Sequence, residues 1–134
     1  MTPEQMFGTS LKQSAAITAI CSTRIYHGMR PTASTVPCIN FFRLSGGTRR
    51  AGFESVAISV NCRATTAQTA LQLARLVTDL FHGTSGMGTY GHQTGFEITR
   101  ASLRQEQGLI SETEDNLYNA PVDIQIVYPT SSVT

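Results

Sequence analysis

The amino-acid sequence predicts an α+β domain in which a mixed, mostly antiparallel sheet carries two helices packed on one face. Residues 67–81 repeat apolar side chains at the i, i+3, i+4, i+7 spacing of an amphipathic helix. Residues 53–63 and 121–128 instead alternate apolar with polar side chains, as half-buried strands do. The chain has 134 residues, the length of one domain. We therefore predict a single domain over residues 1–128 and a polar tail at 129–134.

The first predicted helix begins at Thr2. Pro3 suits the first helical position, and Gln5 completes a capping box with Thr2. Apolar side chains follow on one side of the helix, and the helical pattern fades between residues 16 and 20. Residues 24–27 predict a short strand, and the Pro-containing segment after them predicts an irregular loop.

A hairpin is predicted next. Residues 38–44 are rich in side chains that favour strands, and residues 53–63 resume the strand pattern. Between them, residues 45–50 include Gly46 and Gly47, which accept the positive φ angles of a turn. We expect a hairpin whose loop at 45–50 is longer than the tightest kind.

The second predicted helix has clear boundaries. Thr65 or Thr66 can cap its start, and Gly83 follows its last turn, where glycine is favoured. Residues 83–95 then hold five glycines and predict a mobile loop.

The last part of the chain predicts two strands. The first begins at residues 96–100 and extends toward residue 104. The acidic segment at 112–116 predicts a solvated turn. Pro121 opens the second strand, and Pro129 ends it.

Residues 86–91 have the Gly-x-Gly-x-x-Gly spacing of a dinucleotide-binding loop. Such a loop must follow a strand and open a helix, because the phosphate lies against the helix N-terminus. Here the motif follows the predicted helix and precedes a strand. Lys12 is the one lysine and lacks the preceding glycines of a P-loop. We therefore expect no nucleotide and no other cofactor.

No arrangement of residues predicts catalysis. The three histidines are too scattered for a metal site, and the three cysteines include no Cys-x-x-Cys pair. We expect reduced, structural thiols. Cys21 and His27 lack the third member of a nucleophile–base arrangement. The acidic turn lacks the glycine and spacing of a calcium loop. We predict no catalytic and no metal-binding residues, and a protein that is not an enzyme.

The composition is low in charge and uneven in its basic residues. Charged residues make up 14% of the chain, against about 25% in ordinary domains, and threonine and serine together number 30. Arginine outnumbers lysine nine to one. Protein interfaces favour arginine over lysine, so either much of the surface faces other protein, or the genome favours arginine codons. A net charge of +1 argues against nucleic-acid or membrane binding driven by charge.

Three arginines gather around the predicted hairpin: Arg43, Arg49 and Arg50. They could meet phosphate or an acidic partner, or form a solvated tip whose charges discourage pairing with other strands. The near-zero net charge favours protein contact over DNA, with a local contact to passing DNA left open.

The order of the predicted elements carries a resemblance. A helix leads to Arg-Ile-Tyr-His at 24–27, and a Pro-containing loop leads to Pro-Cys-Ile-Asn-Phe-Phe at 37–42. A further strand precedes Thr-x-x-x-Ala-x-x-Leu and a helix that runs into Leu-Phe-His-Gly at 80–83. An Arg-containing strand, an acidic turn and the alternating strand at 121–128 complete the order. Over residues 3–128 the chain resembles the tail-completion and tail-terminator proteins of long-tailed bacteriophages.

The resemblance implies a structural virion protein of the phage neck or tail, assembled in the host cytoplasm. Such proteins form a ring, expected to be hexameric, that caps the finished tail tube and stops its growth. The implied partners are further copies of the chain, the tail tube protein, and the head connector or head-closure protein. DNA would pass through the lumen of the ring, and no membrane is involved.

We expect the 45–50 hairpin and the 83–95 loop to make the contacts, and the tail after residue 129 to reach a neighbouring subunit. The candidate subunit or partner contacts are Arg43, Arg49, Arg50, Met87, Tyr90, His92 and Tyr128.

Two alternatives stay open. One is another neck or tail component, such as a head-closure or connector-adaptor protein. The other is a small enzyme or nucleotide-binding domain, whose nucleotide affinity would depend on the glycines at 86–91.

Overall fold

The fold belongs to the predicted α+β class. In the computed structural model, the described residues form three α-helices and one eight-stranded mixed sheet. The parts of the chain that the structure describes are residues 2–29, 35–44, 48–50, 52–81, 100–106, 108–112 and 116–129. None of the described helices is long and apolar enough to cross a membrane.

The elements follow in this order along the chain. The helices are α1 (Pro3–Gln13), α2 (Ala15–Cys21) and α3 (Ala67–Phe81). The strands are β1 (Ile25–His27), β2 (Cys38–Arg43), β3 (Thr48–Arg50), β4 (Phe53–Ala64), β5 (Arg100–Glu106), β6 (Ile110–Glu112), β7 (Leu117–Asn119) and β8 (Val122–Pro129).

The long strand β4 is the centre of the sheet. β2 lies antiparallel on one side of it, with Arg43 opposite Ile58. β8 lies antiparallel on the other side, with Ile124 opposite Ile58, and β5 lies outside β8. β7 pairs with the last two residues of β4, and β6 lies outside β7. Only β1 and β2 form a parallel pair among these strands, so the sheet is mostly antiparallel as predicted.

One face of the sheet carries the core. The alternation predicted for β4 places Val56, Ile58 and Val60 on this face, each at most 2% exposed. Phe7 of α1 lies at its centre and stacks on Phe81 of α3 with ring centroids 4.2 Å apart. Burying a side chain of this size contributes about 1.5–3 kcal/mol relative to leaving it exposed. This stack holds the N-terminal helix and α3 together over the sheet.

The N-terminal helix starts as predicted but is interrupted. The Thr2 hydroxyl accepts a hydrogen bond from the Gln5 amide at 3.2 Å, and the Gln5 side-chain oxygen accepts one from the Thr2 amide at 2.9 Å, which confirms the capping box. Ser14 then ends α1 and caps α2, where its hydroxyl accepts from the Ile17 amide. We expected one helix whose pattern fades after residue 15, but the structure has two. The Ser14 side chain separates them because it competes with the hydrogen bonds of the helical backbone. The described residues hold three helices rather than the two predicted.

The structure shows which of the two predicted residues caps α3. The Thr69 amide donates to the Thr66 hydroxyl at 3.3 Å, so Thr66 is the cap. The apolar stripe is confirmed from Ala70 to Phe81, except that Leu71, predicted to belong to it, is 48% exposed and Leu73 is buried in its place. The predicted glycine end at residue 83 lies outside the described residues.

The hairpin differs from the prediction. Residues 48–50 were expected in a loop, but they form β3 and pair with the first residues of β4. Gly52 lies in a turn just before β4 and takes a φ of +86°. β4 continues beyond the end of β2 and offers an edge on which β3 pairs. Residues 45–47 lie outside the described part of the chain.

The last part of the chain holds more strands than predicted. β5 runs to Glu106, with a register shift between Leu103 and Gln105. β6 and β7 flank the acidic segment that was expected to be only a turn. Each has three residues, too few to show a strand period in the sequence. The final strand β8 alternates as predicted and includes Pro129 as its last residue.

Candidate contact surface

The structure describes only part of the predicted contact set. Arg43 ends β2 and Arg49 lies in β3, so both stand at the hairpin end of the sheet. Arg50 is described only through the backbone pairing of β3. Outside the described residues lie Met87, Tyr90, His92, the expected contact loop 83–95 and the tail after residue 129.

Arg43 and Arg49 each form an ion pair with a carboxylate. Arg43 Nε lies 2.5 Å from Glu4 Oε1, which ties the first turn of α1 to β2. Arg49 Nη2 lies 3.0 Å from Glu54 Oε1, across the β3–β4 pair. The Arg49 side chain is 72% exposed, so this pair contributes at most about 1 kcal/mol. Because Arg43 and Arg49 each have a carboxylate beside them, these two arginines do not form a bare phosphate-binding surface.

Tyr128 lies beneath these pairs rather than on the surface. It is 2% exposed and belongs to the core, so in the single chain it offers almost no surface to a partner. Burial raises the pKa of its hydroxyl, and the neighbouring Glu54 carboxylate raises it further, whereas Arg43 and Arg49 act in the opposite direction. The structure therefore brings three predicted contact residues together, with Tyr128 supporting the two arginines.

The opposite face of the sheet carries an apolar surface that the sequence prediction missed. We call the side of the sheet that faces away from the core the outer face. Phe42 pairs with Ser59 across the β2–β4 ladder, and the Leu44 amide donates to the Ala57 carbonyl at 2.9 Å. We call these two side chains and Phe53, which lies on the same face four residues before Ala57, the outer patch; their exposed fractions are 37%, 39% and 46%. Aromatic side chains are enriched at protein interfaces.

A signal for the outer patch was present in the sequence. Side chains alternate between faces along a strand, so Phe42 must point away from the core if Phe41 points into it. In the same way, Phe53 must point away from the face of Val56. The prediction grouped Phe41 and Phe42 as one apolar run and did not separate the two faces.

A second apolar surface lies at the other end of β4. A groove of about 160 Å³ is lined by Leu71, Ala74, Gly108, Ala120 and Pro121, and we call it the α3 groove. Its Leu71 is 48% exposed. The Ala120 amide donates to the Cys62 carbonyl at 2.9 Å, so the groove lies beside the C-terminal end of β4.

Polar side chains occupy the outer face between these two surfaces. Asn40 is 6% exposed, donates to the Gly28 carbonyl at 3.0 Å and accepts from Arg63. Asn119 donates to the Asn61 side chain at 3.0 Å. The Asn119 Oδ1 atom is buried without a hydrogen-bond partner among the described residues. The outer patch is therefore bounded by a hydrogen-bonded amide cluster toward the far end of β4.

The thiols are not placed for chemistry. Cys21, Cys38 and Cys62 form no disulfide with one another and are fully buried. Burial raises the pKa of the Cys21 thiol to about 12 and raises that of Cys62 still further. Since the thiolate is the nucleophile and the metal ligand, the raised pKa values of Cys21 and Cys62 keep these two thiols protonated near neutral pH. The described residues also hold no group of three His, Cys, Asp or Glu side chains placed to bind a metal ion.

Comparison with known proteins gives a likeness of fold. No protein-family model matches the sequence, and no curated protein matches it. A chain in a solved structure described as "Virion of native gene transfer agent (GTA) particle" is similar, with a TM-score of 0.66. The match covers 94% of this chain and 93% of that chain at 12% identity. The two chains share their fold over nearly their whole lengths.

Proposed function

We propose that this chain is a structural subunit of a phage-like virion, located at its neck or tail. It forms a ring that caps the tail tube, ends tail growth and joins the tail to the head connector. The observation that carries the proposal is the fold shared over 94% of the chain with a chain of a gene transfer agent virion. The place in the virion follows the resemblance of the element order to tail-terminator proteins.

The described surfaces support a subunit that binds other proteins. Because one fold can host many functions, the proposal needs evidence from surfaces as well as from fold. The outer patch and the α3 groove are both apolar, and the outer patch includes two exposed phenylalanines. Aromatic side chains are enriched at protein interfaces, and so is arginine, which stands on the other face of the same end of the sheet.

The proposed mechanism is binding without a chemical step. One face of the ring would be complementary to the last layer of tube subunits. The other face would differ from a tube layer, so a further tube subunit would find no matching surface on it. Growth then stops at the ring, and the free face is left for the connector. The lumen of the ring leaves a path for DNA.

The test is the mass of the purified full chain by light scattering over a concentration series. The series is repeated with tubes polymerised from the tube protein of the same particle, and with tubes of an unrelated phage as the control. We expect a mass of about six chains, or transfer of the chain to the ends of its own tubes. Tubes capped in this way should not lengthen when more tube protein is added.

Two outcomes would contradict the proposal in different ways. A chain that stays monomeric and neither binds tubes nor stops their growth is not a terminator. A chain that ignores tubes but binds the head connector would instead be a head-closure or connector-adaptor protein. A monomer that forms rings only on tube ends supports the proposal, since the tube is then the template.

A further inference from the structure

We propose that copies of this chain associate head to tail through the two unlike edges of the sheet, with β1 of one copy pairing with β6 of the next. The inference rests on the proposed ring for its occupant, a second copy of the chain, and it names the two edges that meet. The strand order β1-β2-β4-β7-β6 places these two strands at opposite ends of the sheet. Four strand spacings of roughly 4.8 Å separate them, or about 19 Å. Two unlike and separate surfaces on one chain form a head-to-tail contact, which produces a closed ring when the rotation between copies allows it.

Backbone groups of β1 point away from the sheet. The Ile39 amide donates to the Arg24 carbonyl at 3.0 Å, and the Gly28 amide donates to the Phe41 carbonyl at 2.8 Å. Because the backbone groups of successive residues alternate between the two sides of a strand, His27 directs its amide and carbonyl away from β2. Among the described residues, β6 likewise pairs with β7 alone. Strand edges of this kind are templates for pairing with another chain.

The two edges lie at nearly the same level of the sheet and run in the directions that antiparallel pairing needs. Through its partner strand, Ile25 of β1 is level with Cys62 of β4, and Ile110 of β6 is level with Arg63. One residue separates these levels, or roughly 3.3 Å. β1 runs opposite to β4, whereas β6 runs in the same direction as β4. A copy rotated about an axis along the strands keeps these directions, so its β1 meets β6 antiparallel, the more stable of the two pairings.

Both edges expose apolar side chains. Met29 follows β1 by two positions and is 91% exposed. Leu109 directly precedes β6 and Ile110 begins it, with exposed fractions of 39% and 44%. Burial of apolar surface contributes about 25 cal/mol per Å². Pairing of the two edges would therefore add apolar contact to the backbone hydrogen bonds of the new ladder.

Charge complementarity favours the same pairing. Residues 5–42, which contain β1, include three basic residues and no acidic one. Residues 105–119, which contain β6 and β7, include four acidic residues and no basic one. In the first range Lys12 is exposed, and the Arg24 guanidinium donates to two backbone carbonyl oxygens, which do not neutralise its charge. Opposite charges at the two edges orient one copy on the next and disfavour contact between two like edges.

Cysteine cross-linking distinguishes this contact from its alternatives. Met29→Cys and Ile110→Cys are prepared as separate variants of the full chain, since both side chains are exposed and the native thiols are buried. Each variant alone and an equal mixture are oxidised with copper–phenanthroline, in solution and on tube ends. We expect disulfide-linked dimers in the mixture and none in either variant alone. A Met29→Cys/Ile110→Cys double variant should yield a ladder of linked chains up to the ring.

A matched control moves one thiol away from the proposed contact. Arg49→Cys replaces Met29→Cys in the mixture, because the Arg49 side chain is also exposed. Arg49 lies opposite Glu54, nine residues of strand or about 30 Å from the level of Ile110, so this mixture should give no dimer. Leu109→Cys in place of Ile110→Cys keeps the test valid if that variant does not fold, and it covers a pairing shifted by one residue.

The possible outcomes separate this inference from the proposed function. Dimers in Met29→Cys alone or in Ile110→Cys alone would overturn the head-to-tail contact, because they require two like edges to meet. Rings or capped tubes without cross-links in either mixture would overturn the contact and leave the ring intact, with both edges open to other partners. Cross-links without tube capping would support the contact and count against the terminator. A chain that neither cross-links nor caps tubes would overturn both.

Discussion

Gly8 shows how one missing methyl group shapes the core. It lies on the buried face of α1, directly over Phe41 of β2. A Cβ atom at this position would stand 2.8 Å from Phe41 Cζ, closer than carbon atoms can pack. Phe41 has little room to move, because its ring packs against Phe7 at 5.5 Å and His27 at 5.2 Å. Glycine here lets α1 approach the sheet.

We predict that Gly8→Ala lowers the free energy of unfolding by about 1–2 kcal/mol, the usual result of overpacking a core. Helix propensity alone predicts the opposite sign, since alanine is favoured over glycine by about 1 kcal/mol in a helix. Urea unfolding measures the difference. The matched control adds Phe41→Leu, which removes the ring that the new methyl meets, so the two substitutions should couple favourably. A Gly8→Ala variant that is more stable than the parent would show that α1 has room to shift.

The buried thiols make stability depend on alkaline pH. The pKa of Cys21 is about 12 in the folded chain and 9.0 as its ordinary value, with burial as the main cause. Above pH 9 the unfolded chain therefore loses this proton while the folded chain keeps it, which favours unfolding. The raised pKa values of Cys62 and Tyr128 act in the same direction.

We predict that the free energy of unfolding is insensitive to these groups below pH 9 and falls as the pH rises from 9 toward 12. Urea unfolding at intervals across this range measures the slope. Cys21→Val, which cannot ionise, is the control and should have a shallower slope even if its stability near neutral pH differs. An unchanged slope in Cys21→Val would mean that other groups cause the alkaline loss.

At the scale of elements, hydroxyl side chains set the helix boundaries. Thr2, Ser14 and Thr66 each accept a hydrogen bond from an amide in the first turn of a helix. The first amides of a helix have no partner within it, so each hydroxyl satisfies a group that would otherwise need water. Ser14 also separates α1 from α2, which lets Ile17 enter the core from a second helix.

We predict that Thr2→Ala lowers the free energy of unfolding by about 1 kcal/mol, because the capping box loses its acceptor. Thr2→Ser keeps the hydroxyl and should stay within a few tenths of a kcal/mol of the parent. Urea unfolding of the two variants side by side gives the comparison. Equal losses in both would assign the effect to the threonine methyl group rather than to the cap.

At the scale of the whole molecule, apolar residues serve two separate purposes. Phe7 is fully buried between α3 and the sheet, whereas Phe53 is 46% exposed on the outer patch. The first stabilises the single chain, and the second is exposed on a surface that remains open to the partners of the proposed ring. Substitutions at the two positions should therefore affect different measurements.

We predict that Phe53→Asp leaves the free energy of unfolding within about 0.5 kcal/mol of the parent, as surface substitutions usually do, and reduces the oligomer mass in light scattering. Phe7→Ala should instead cost about 3–5 kcal/mol because it opens a cavity in the core. Urea unfolding and light scattering of the same samples report both properties. An unchanged oligomer in a well-folded Phe53→Asp variant would remove the outer patch from the interface.

The sequence by itself determined the class of the fold and its longest elements. The helical stripe of α3, the alternation of β4 and β8, and the capping box at Thr2 are local patterns of neighbouring residues, and each is confirmed. Such patterns can be recognised in the sequence because the helix and strand periods relate residues that are only a few positions apart. The arginines of the hairpin end were also visible, since three of them fall within eight positions.

Only the tertiary structure decided how these elements combine. β3, β6 and β7 have three residues each, and they are strands because β4 and one another offer partners for their backbone groups. The carboxylates beside Arg43 and Arg49, the burial of Tyr128, and the α3 groove depend on which helices and strands lie next to each other. Glu4 and Arg43 are 39 residues apart in the chain, and no local pattern links them. Pairing and contact between distant segments follow from packing of the whole chain, and a local sequence pattern does not record them.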